Sequence, residues 1–448
     1  MAKEEQVWVI RWWCRVALIA VLAIGAQPSW SDSDGPRDRQ PKARLRSLDA
    51  ITASIVGRDQ GVYVEAADGT VLVSRAAARA VHPASVSKVA TTLALVRKFG
   101  PDHRFLTTFS VMGCTLQGTL HGDLVVKSDG DPSLVDEEAL LVAQNLKRLG
   151  ILRIAGDLRI AGLLTFDWIG DDEGAGLRRS LSGSTPVGAW SAVRELISAD
   201  AHGLSTGLRD SPGIQFVPGP ALPKARDAVM TLNAGAVVEV RSQPLVPLLK
   251  SLNDYSNNIF KPFADAAGGP AAIEALARSV VPEAMRSEIT LADGAGSDPQ
   301  NRLSPRAAVK LLRSLEQELA ASGHTLVDVL PVAGVDKGTL LNRLDSSDER
   351  GRVVGKTGTY GDYGASALVG AIRTEGQGAV YFAVLNHGVP VPAARRRQDK
   401  FVRMLLHRLR TVPWDYTRDD RPAVARTDVS VVIPSAAPGA GRSCSQIQ

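Results

Sequence analysis

Cysteine is nearly missing from this sequence: 448 residues contain three, Cys14, Cys114 and Cys444. One precedes the leading apolar run and another sits in a polar tail, so disulfides do not hold the fold together. Histidine is scarce too. None of the seven stands at a metal-ligand spacing from another His or a Cys, so the sequence asks for no metal and no other cofactor. Single histidines such as His82 and His387 read as structural or surface residues. The charge balance is only mildly basic overall. The formal net charge is +5 with 22% charged residues, a mild, dispersed basic excess that argues against a dedicated nucleic-acid binder. The leading apolar run, Val16 to Ala26, is shorter than the roughly 20 residues that a membrane-spanning helix needs. It follows Arg11 and Arg15 and precedes Ser29 and Ser31 at the spacing a signal peptidase reads, which makes residues 1–31 an export signal. Membrane association is expected only if that signal stays uncleaved and is extended by Val7 to Trp13. No tandem repeat is evident.

What is present is enough apolar material, 44% of the chain, for one large core or two smaller ones. A charged linker, 32–44, leads to a helical pattern over Leu45 to Ile55. Gly61 to Ser74 alternates apolar residues around Asp68-Gly69, a hairpin signal. Val86, Val89, Leu93 and Val96 then recur at helical spacing, with Gly100-Pro101 as the stop. Between Ser110 and Val237 the texture changes to short β-like runs such as Gly122 to Lys127 and Ile151 to Ile160, which marks an inserted β-rich domain, 111–237. Helical signals return at Leu245 to Leu252 and Ile259 to Ala267. Arg352 to Tyr360, Ala365 to Thr374 and Ala379 to Asn386 form an antiparallel meander, closed by a basic amphipathic helix, Ala393 to Leu409. Beyond 411 the Pro, Ala, Ser and Gly content predicts a flexible tail.

Three short motifs stand in order along this frame: Ser85-Val86-Ser87-Lys88, Ser256-Asn257-Asn258 and Lys356-Thr357-Gly358-Thr359. A serine three residues before a lysine arises by chance about once in such a chain, so the first motif carries little weight alone. Its context adds weight. Ser85 falls at the start of the predicted helix, where free N–H groups favour developing negative charge, and Lys88 lies one turn on along the same face. Burial would lower the lysine pKa until the amine can take the serine proton. Lys356 to Thr359 lie on a strand entering the meander, an edge on which an extended peptide can pair. Lys356 offers charge, the hydroxyls of Thr357 and Thr359 can hold a carboxylate, and Gly358 permits close backbone approach. Ser256 and Asn258 occupy a junction between helices, the place for polar side chains that face a cleft. Ser251-Leu252-Asn253 has the same spacing but falls inside the first of those helices.

Taken together, the stretch Pro83 to Thr92, Tyr255 to Asn258, Asp293 to Gly296 with Asn301 to Pro305, and Gly355 to Thr359 resemble the penicillin-binding protein 4 type of D-alanyl-D-alanine carboxypeptidase/endopeptidase. Gly130 to Leu134 and Leu330 to Gly334 are similar as well, and the likeness covers roughly residues 50 to 395. The resemblance implies an α/β (α+β) fold: a β-lactamase/transpeptidase-like catalytic domain from 45–110 and 238–410, an antiparallel sheet flanked by helices, carrying the inserted β-rich domain. It implies an acyl-enzyme on Ser85, with Lys88 as base and Ser256 relaying the proton to the leaving amine. Asn258 would bind the substrate amide, while Lys356, Thr357 and Thr359 orient the terminal carboxylate beside Gly358. It further implies peptidoglycan stem peptides as substrates, β-lactam antibiotics as covalent inhibitors and an exported location in the periplasm or cell envelope of a bacterium. Ala295 and Ser297 stand where the family pattern has serine and leucine.

Other readings fare worse. Gly203-Leu204-Ser205-Thr206-Gly207 fits a nucleophile elbow, but it follows a helical stretch, Arg194 to Asp200, where an elbow follows a buried strand. A serine β-lactamase would share the three motifs but needs a second base for deacylation, for which no candidate is evident. A non-catalytic peptidoglycan-binding scaffold would have no need of both Ser85 and Lys88.

Overall fold

The computed structural model describes residues 39–199, 212–218, 237–255, 259–361, 364–376 and 378–433. The expected export signal and the elbow-like stretch at Gly203 to Gly207 lie outside them. Met1–Arg44 forms one unit, described only over its last residues, which are helical; Leu45–Gln448 forms the other and holds both sheets. No helix among the described residues is long and apolar enough to cross a membrane.

The first sheet is antiparallel throughout, in the order Val353–Tyr360, Ala365–Thr374, Gly378–Asn386, Gly61–Ala66, Val71–Arg75, with Thr411–Val412 beside Ala365–Thr374. The predicted hairpin and meander are its two parts. Gly61–Ala66 pairs with Gly378–Asn386, so the amino-terminal hairpin completes a sheet begun by the carboxy-terminal strands. Both faces of this sheet are covered, which explains why its strands Ala365–Thr374 and Gly378–Asn386 read as nearly continuous apolar runs. Along Gly61–Ala66, Tyr63 joins one core with Val89, Leu93, Leu311 and Leu312, from the helices Lys88–Phe99 and Pro305–Ala320. Its neighbours Val62 and Val64 join the opposite core with Phe382, Phe401 and Leu405. The period-two alternation of the strand thus feeds two helical layers. One buried charge ties the strand to the helix Pro305–Ala320: Glu65, 1% exposed, accepts from Lys310 Nζ at 2.7 Å and from Tyr63 Oη at 2.7 Å, and pairs with Arg313. Burial raises its carboxyl pKa, but the bonds from Lys310 and Tyr63 hold it below the usual range.

The second sheet has seven strands in the order Asp428–Val432, Val237–Arg241, Leu106–Leu116, Thr119–Ser128, Arg153–Ala155, Gln215–Val217, with Leu158–Ile160 also beside Thr119–Ser128. The predicted β-rich insert is not all strand. The helix Asp136–Arg148 connects Thr119–Ser128 to the parallel strand Arg153–Ala155, and its Ala139, Val142 and Leu146 pack on Phe109, Val126 and Val238.

The tail expectation needs correction. Residues 411–433 are ordered: Thr411–Val412 extends the first sheet and Asp428–Val432 forms an edge of the second. The cause is local composition, because the Pro/Ala/Ser/Gly-rich segment starts only at 434, whereas Val424 is 3% exposed and Val429 and Val431 pack against the insert's core. Tyr416 Oη donates to Asp336 Oδ1 at 2.7 Å, and Asp336 also pairs with Lys250 at 2.5 Å. A chain ending at Arg410 is therefore expected to lose about 3–4 kcal/mol, chiefly from those three valines. It would also bare Val237–Arg241 as an unpaired edge. Thermal unfolding with light scattering checks this: a lower melting temperature with aggregation is expected, and an unchanged melting temperature would refute it.

Candidate active site

The nucleophile candidate sits in a tight 3₁₀ turn, Ala84–Ser87, that runs directly into the helix Lys88–Phe99. This refines the predicted helix start without moving it. Ala84 has φ +48°, a left-handed conformation unusual outside glycine, so the residue before Ser85 is held under strain by its surroundings. Those surroundings include His82, 7% exposed. Its Nδ1 accepts from the Ala84 N–H at 3.1 Å, which places the ring proton on Nε2, where it donates to the Asp298 carbonyl at 3.0 Å. Burial pulls the His82 pKa down, keeping the ring neutral and that acceptor available.

Lys88, 1% exposed, lies one turn after Ser85, and its Nζ is 2.9 Å from Ser85 Oγ. The amine also donates to the Ala295 carbonyl. Burial pushes the Lys88 ammonium down to about 8, with Asp293 pulling the other way. The loop that supplies Ala295 is built around Asp293, whose carboxylate accepts from the backbone N–H of Gly296 at 2.7 Å, from Ser297 Oγ at 2.5 Å and from Asn301 Nδ2 at 2.8 Å. Thr91 Oγ1 ties that loop to the helix through the Gly294 carbonyl at 2.8 Å. Ala295, one of the two departures from the family pattern, faces the lysine through its main chain. The other, Ser297, is a rung of the Asp293 turn.

Lys356, Thr357, Gly358 and Thr359 come from the edge strand Val353–Tyr360, as the sequence predicts. Its first half is covered by a bridge between Val332 and Val354. Its second half approaches the serine turn. A Cβ placed on Gly358 would lie 2.5 Å from the Pro83 carbonyl oxygen and 3.1 Å from the Ser85 nitrogen, so only glycine fits there. Gly358→Ala is expected to force strand and turn apart and slow acylation by about 10²-fold, the usual cost of misplacing reacting groups by about 1 Å. Stopped-flow acylation of a natively folded variant tests this, and wild-type kinetics would refute it.

Lys356 is fully buried; burial first and the nearby charge of Lys88 second push its ammonium down to about 7, against the pull of Asp254. Thr357 Oγ1 donates to Thr339 Oγ1 at 2.7 Å, and Thr359 Oγ1 accepts from Arg395 Nη2 at 2.9 Å. Ser256 and Asn258 lie outside the described residues, between Tyr255 and Ile259. The rival Ser251-Leu252-Asn253 is helix interior. Ser251 donates to the Pro247 carbonyl, and Asn253, fully buried, donates to Thr92 Oγ1 and the Val329 carbonyl.

The structure thus brings the first and third motifs together and adds three groups that the sequence does not point to. His82 carries a contextual signal only in its place two residues before Ala84. The Ala295 contribution is main-chain and leaves no side-chain signature, and Arg395 is hidden in the basic run Arg395-Arg396-Arg397.

A buried serine and lysine in contact, beneath a lysine-bearing edge strand of a helix-flanked antiparallel sheet, are arranged as a serine hydrolase of transpeptidase-like fold would need them. The D-Ala-D-Ala carboxypeptidase 3 (S13) family profile matches residues 45–176 and 184–408, and the chain belongs to that family of serine-type peptidases. It is 26% identical over 404 residues to Carboxypeptidase DacB of Mycolicibacterium smegmatis, covering 80% of this chain and 83% of that one. Its fold is similar to that of the penicillin G-acylated predatory endopeptidase of Bdellovibrio bacteriovorus, with TM-score 0.68 and 23% identity over 83% of this chain and 99% of that one. It is also similar to that of penicillin-binding protein 4 from Haemophilus influenzae, with TM-score 0.54 and 17% identity over 79% and 98%.

Proposed function

We propose that the chain cleaves peptidoglycan stem peptides as a D-alanyl-D-alanine carboxypeptidase/endopeptidase, with Ser85 as nucleophile and Lys88 as general base. The contact between the buried Lys88 Nζ and Ser85 Oγ, 2.9 Å, carries this reading. An amine with a pKa near 8 is neutral in about one molecule in ten at pH 7, where an ordinary lysine is neutral in about one in three thousand. The neutral amine donates to the Ala295 carbonyl and turns its lone pair to the Ser85 hydroxyl.

Ser85 Oγ then attacks the carbonyl carbon of the penultimate D-alanine while its proton passes to Lys88 Nζ. The resulting oxyanion lies between the backbone N–H groups of Ser85 and Thr359, a placement supported by the tight approach of Gly358 to the Ser85 nitrogen. The C–N bond breaks, and the leaving amine takes a proton relayed through Ser256. Water attacks the remaining ester and restores the Ser85 hydroxyl. Lys356, Thr357 and Thr359 orient the carboxylate of the leaving residue and Asn258 holds the substrate amide. β-Lactams would acylate the same serine, as the acylated Bdellovibrio relative suggests. Such a substrate requires an exported protein, in the periplasm or cell envelope.

Carboxypeptidase and endopeptidase action share this acyl-enzyme and differ only in what leaves. Incubation with a stem pentapeptide and with cross-linked dimeric muropeptides, followed by chromatography, tests the proposal. Released D-alanine, or conversion of dimers to monomers, is expected. Absence of both overturns it, and rapid penicillin turnover without D-alanine release would identify a β-lactamase instead.

A further inference from the structure

We infer that Arg395, in the first turns of the closing helix Val391–Arg408, is the anchor for the carboxylate of the leaving residue and sets the preference for substrates that carry that charge. The inference rests on the proposed function and names a residue that none of the three motifs contains.

Arg395 Nη2 donates to Thr359 Oγ1 at 2.9 Å, so the guanidinium stands at the exposed end of the edge strand on which the substrate would lie. None of the ion pairs among the described residues involves Arg395, and the side chain is solvent-exposed. Nearby helix positions are committed elsewhere: Arg397 faces the Val56 carbonyl, Gln398 donates to Ser366 and Asn386, and Asp399 pairs with Arg343. Of these four, Arg395 is the one that bonds to the edge strand.

The motif lysine is the less accessible cation: Lys356 is fully buried, and burial together with the nearby charge of Lys88 pushes its ammonium down to about 7, whereas Arg395 stands exposed at the end of the strand. A guanidinium stays charged at any pH the enzyme meets, and its planar fork suits a carboxylate. Thr359 Oγ1, already accepting from Arg395, keeps its own hydrogen free to donate to the same carboxylate. One arginine and one hydroxyl would then hold the two carboxylate oxygens, fixing the register of the leaving residue against Ser85. Because Arg395 is exposed, its contribution is screened by salt.

The test pairs an N-acylated D-alanyl-D-alanine peptide with its carboxy-terminal amide. Both go to the wild type, Arg395→Ala and Arg395→Lys, while penicillin acylation is followed in parallel. Expected results are about a tenfold loss of kcat/KM for Arg395→Ala on the acid, mainly through KM, and less than a twofold loss on the amide. Arg395→Lys should recover part of the difference, and the acid-over-amide preference of the wild type should fall with added salt. Equal losses on both substrates, or none on either, would overturn the assignment. A wild type acylated at Ser85 yet indifferent to the carboxylate overturns this inference while leaving the functional reading intact. A wild type that is neither acylated nor hydrolytic overturns both.

Discussion

Ser85→Ala abolishes covalent labelling by fluorescent penicillin and lowers D-alanine release by on the order of 10⁴-fold or more, as losing a nucleophile does in other serine enzymes. The substitution removes one oxygen from a residue that is 8% exposed, in a turn whose shape is set by other contacts: His82 to the Ala84 N–H, Ser87 Oγ to the Ala84 carbonyl at 3.1 Å, and Gly358 against Pro83. The fold is expected to stay intact, with stability changed by about 1 kcal/mol for the lost hydrogen bond. What the variant lacks is the atom proposed to form the ester. Ser87→Ala is the matched control, since that hydroxyl bonds within the turn, and it should keep labelling within about tenfold of wild type. Gel fluorescence together with mass spectrometry of the acylated peptide decides the matter. Persistent labelling of Ser85→Ala would show that another residue is the nucleophile.

The parts of the site legible in sequence are those made by side chains at short spacings. Ser85 and Lys88 are three residues apart on a helical turn, and that spacing becomes a 2.9 Å contact. Lys356 to Thr359 could be placed on an edge because they stand on the first of three strand-like runs, and the register of that meander follows from its short turns. Contributions from distant main chain were not legible. The Ala295 carbonyl reaches Lys88 because Asp293 gathers the N–H groups of a turn around itself, and any residue at 295 would offer the same oxygen. The strand Asp428–Val432 is five residues long and pairs with Val237–Arg241 far upstream, so nothing local announces it against a flexible neighbourhood. Inside the insert, the helix Asp136–Arg148 was masked by the strand-like runs on either side, although its acidic first turn and the apolar positions Ala139, Val142 and Leu146 have helical character.

Lys88→Met is expected to lower acylation by about 10³-fold or more while making the protein more stable at pH 6. The activity loss follows from removing the base. The stability gain follows from linkage. In the unfolded chain Lys88 titrates near 10.5, in the folded chain near 8, so between those values the unfolded state binds more protons and stability rises with pH. Below 8 both states are charged and the folded one bears the whole cost of a buried ammonium, of order 3 kcal/mol. Methionine matches the lysine stem without the charge. Against this stands the Ala295 carbonyl, left without its donor at about 1–3 kcal/mol. The net result at pH 6 is a gain of about 1 kcal/mol, turning to a loss by pH 10, where the wild-type amine is neutral in the folded state and most of the penalty has gone. Lys356, whose ammonium is pushed down to about 7 partly by Lys88, adds a second titration to the wild type. Acylation needs Lys88 neutral and is strongest with Lys356 charged, so the wild-type rate should peak between pH 7 and 8 and fall on both sides, the two apparent values belonging to the pair. Denaturant unfolding at pH 6 and pH 10, with acylation rates across the same range, checks both halves. Destabilisation of Lys88→Met at every pH would refute the burial penalty, and a wild-type rate flat from pH 6 to 9 would mean that the buried amine is not the base. The same burial that makes Lys88 reactive near neutral pH makes it a destabilising residue there, and the two effects should disappear together in one variant.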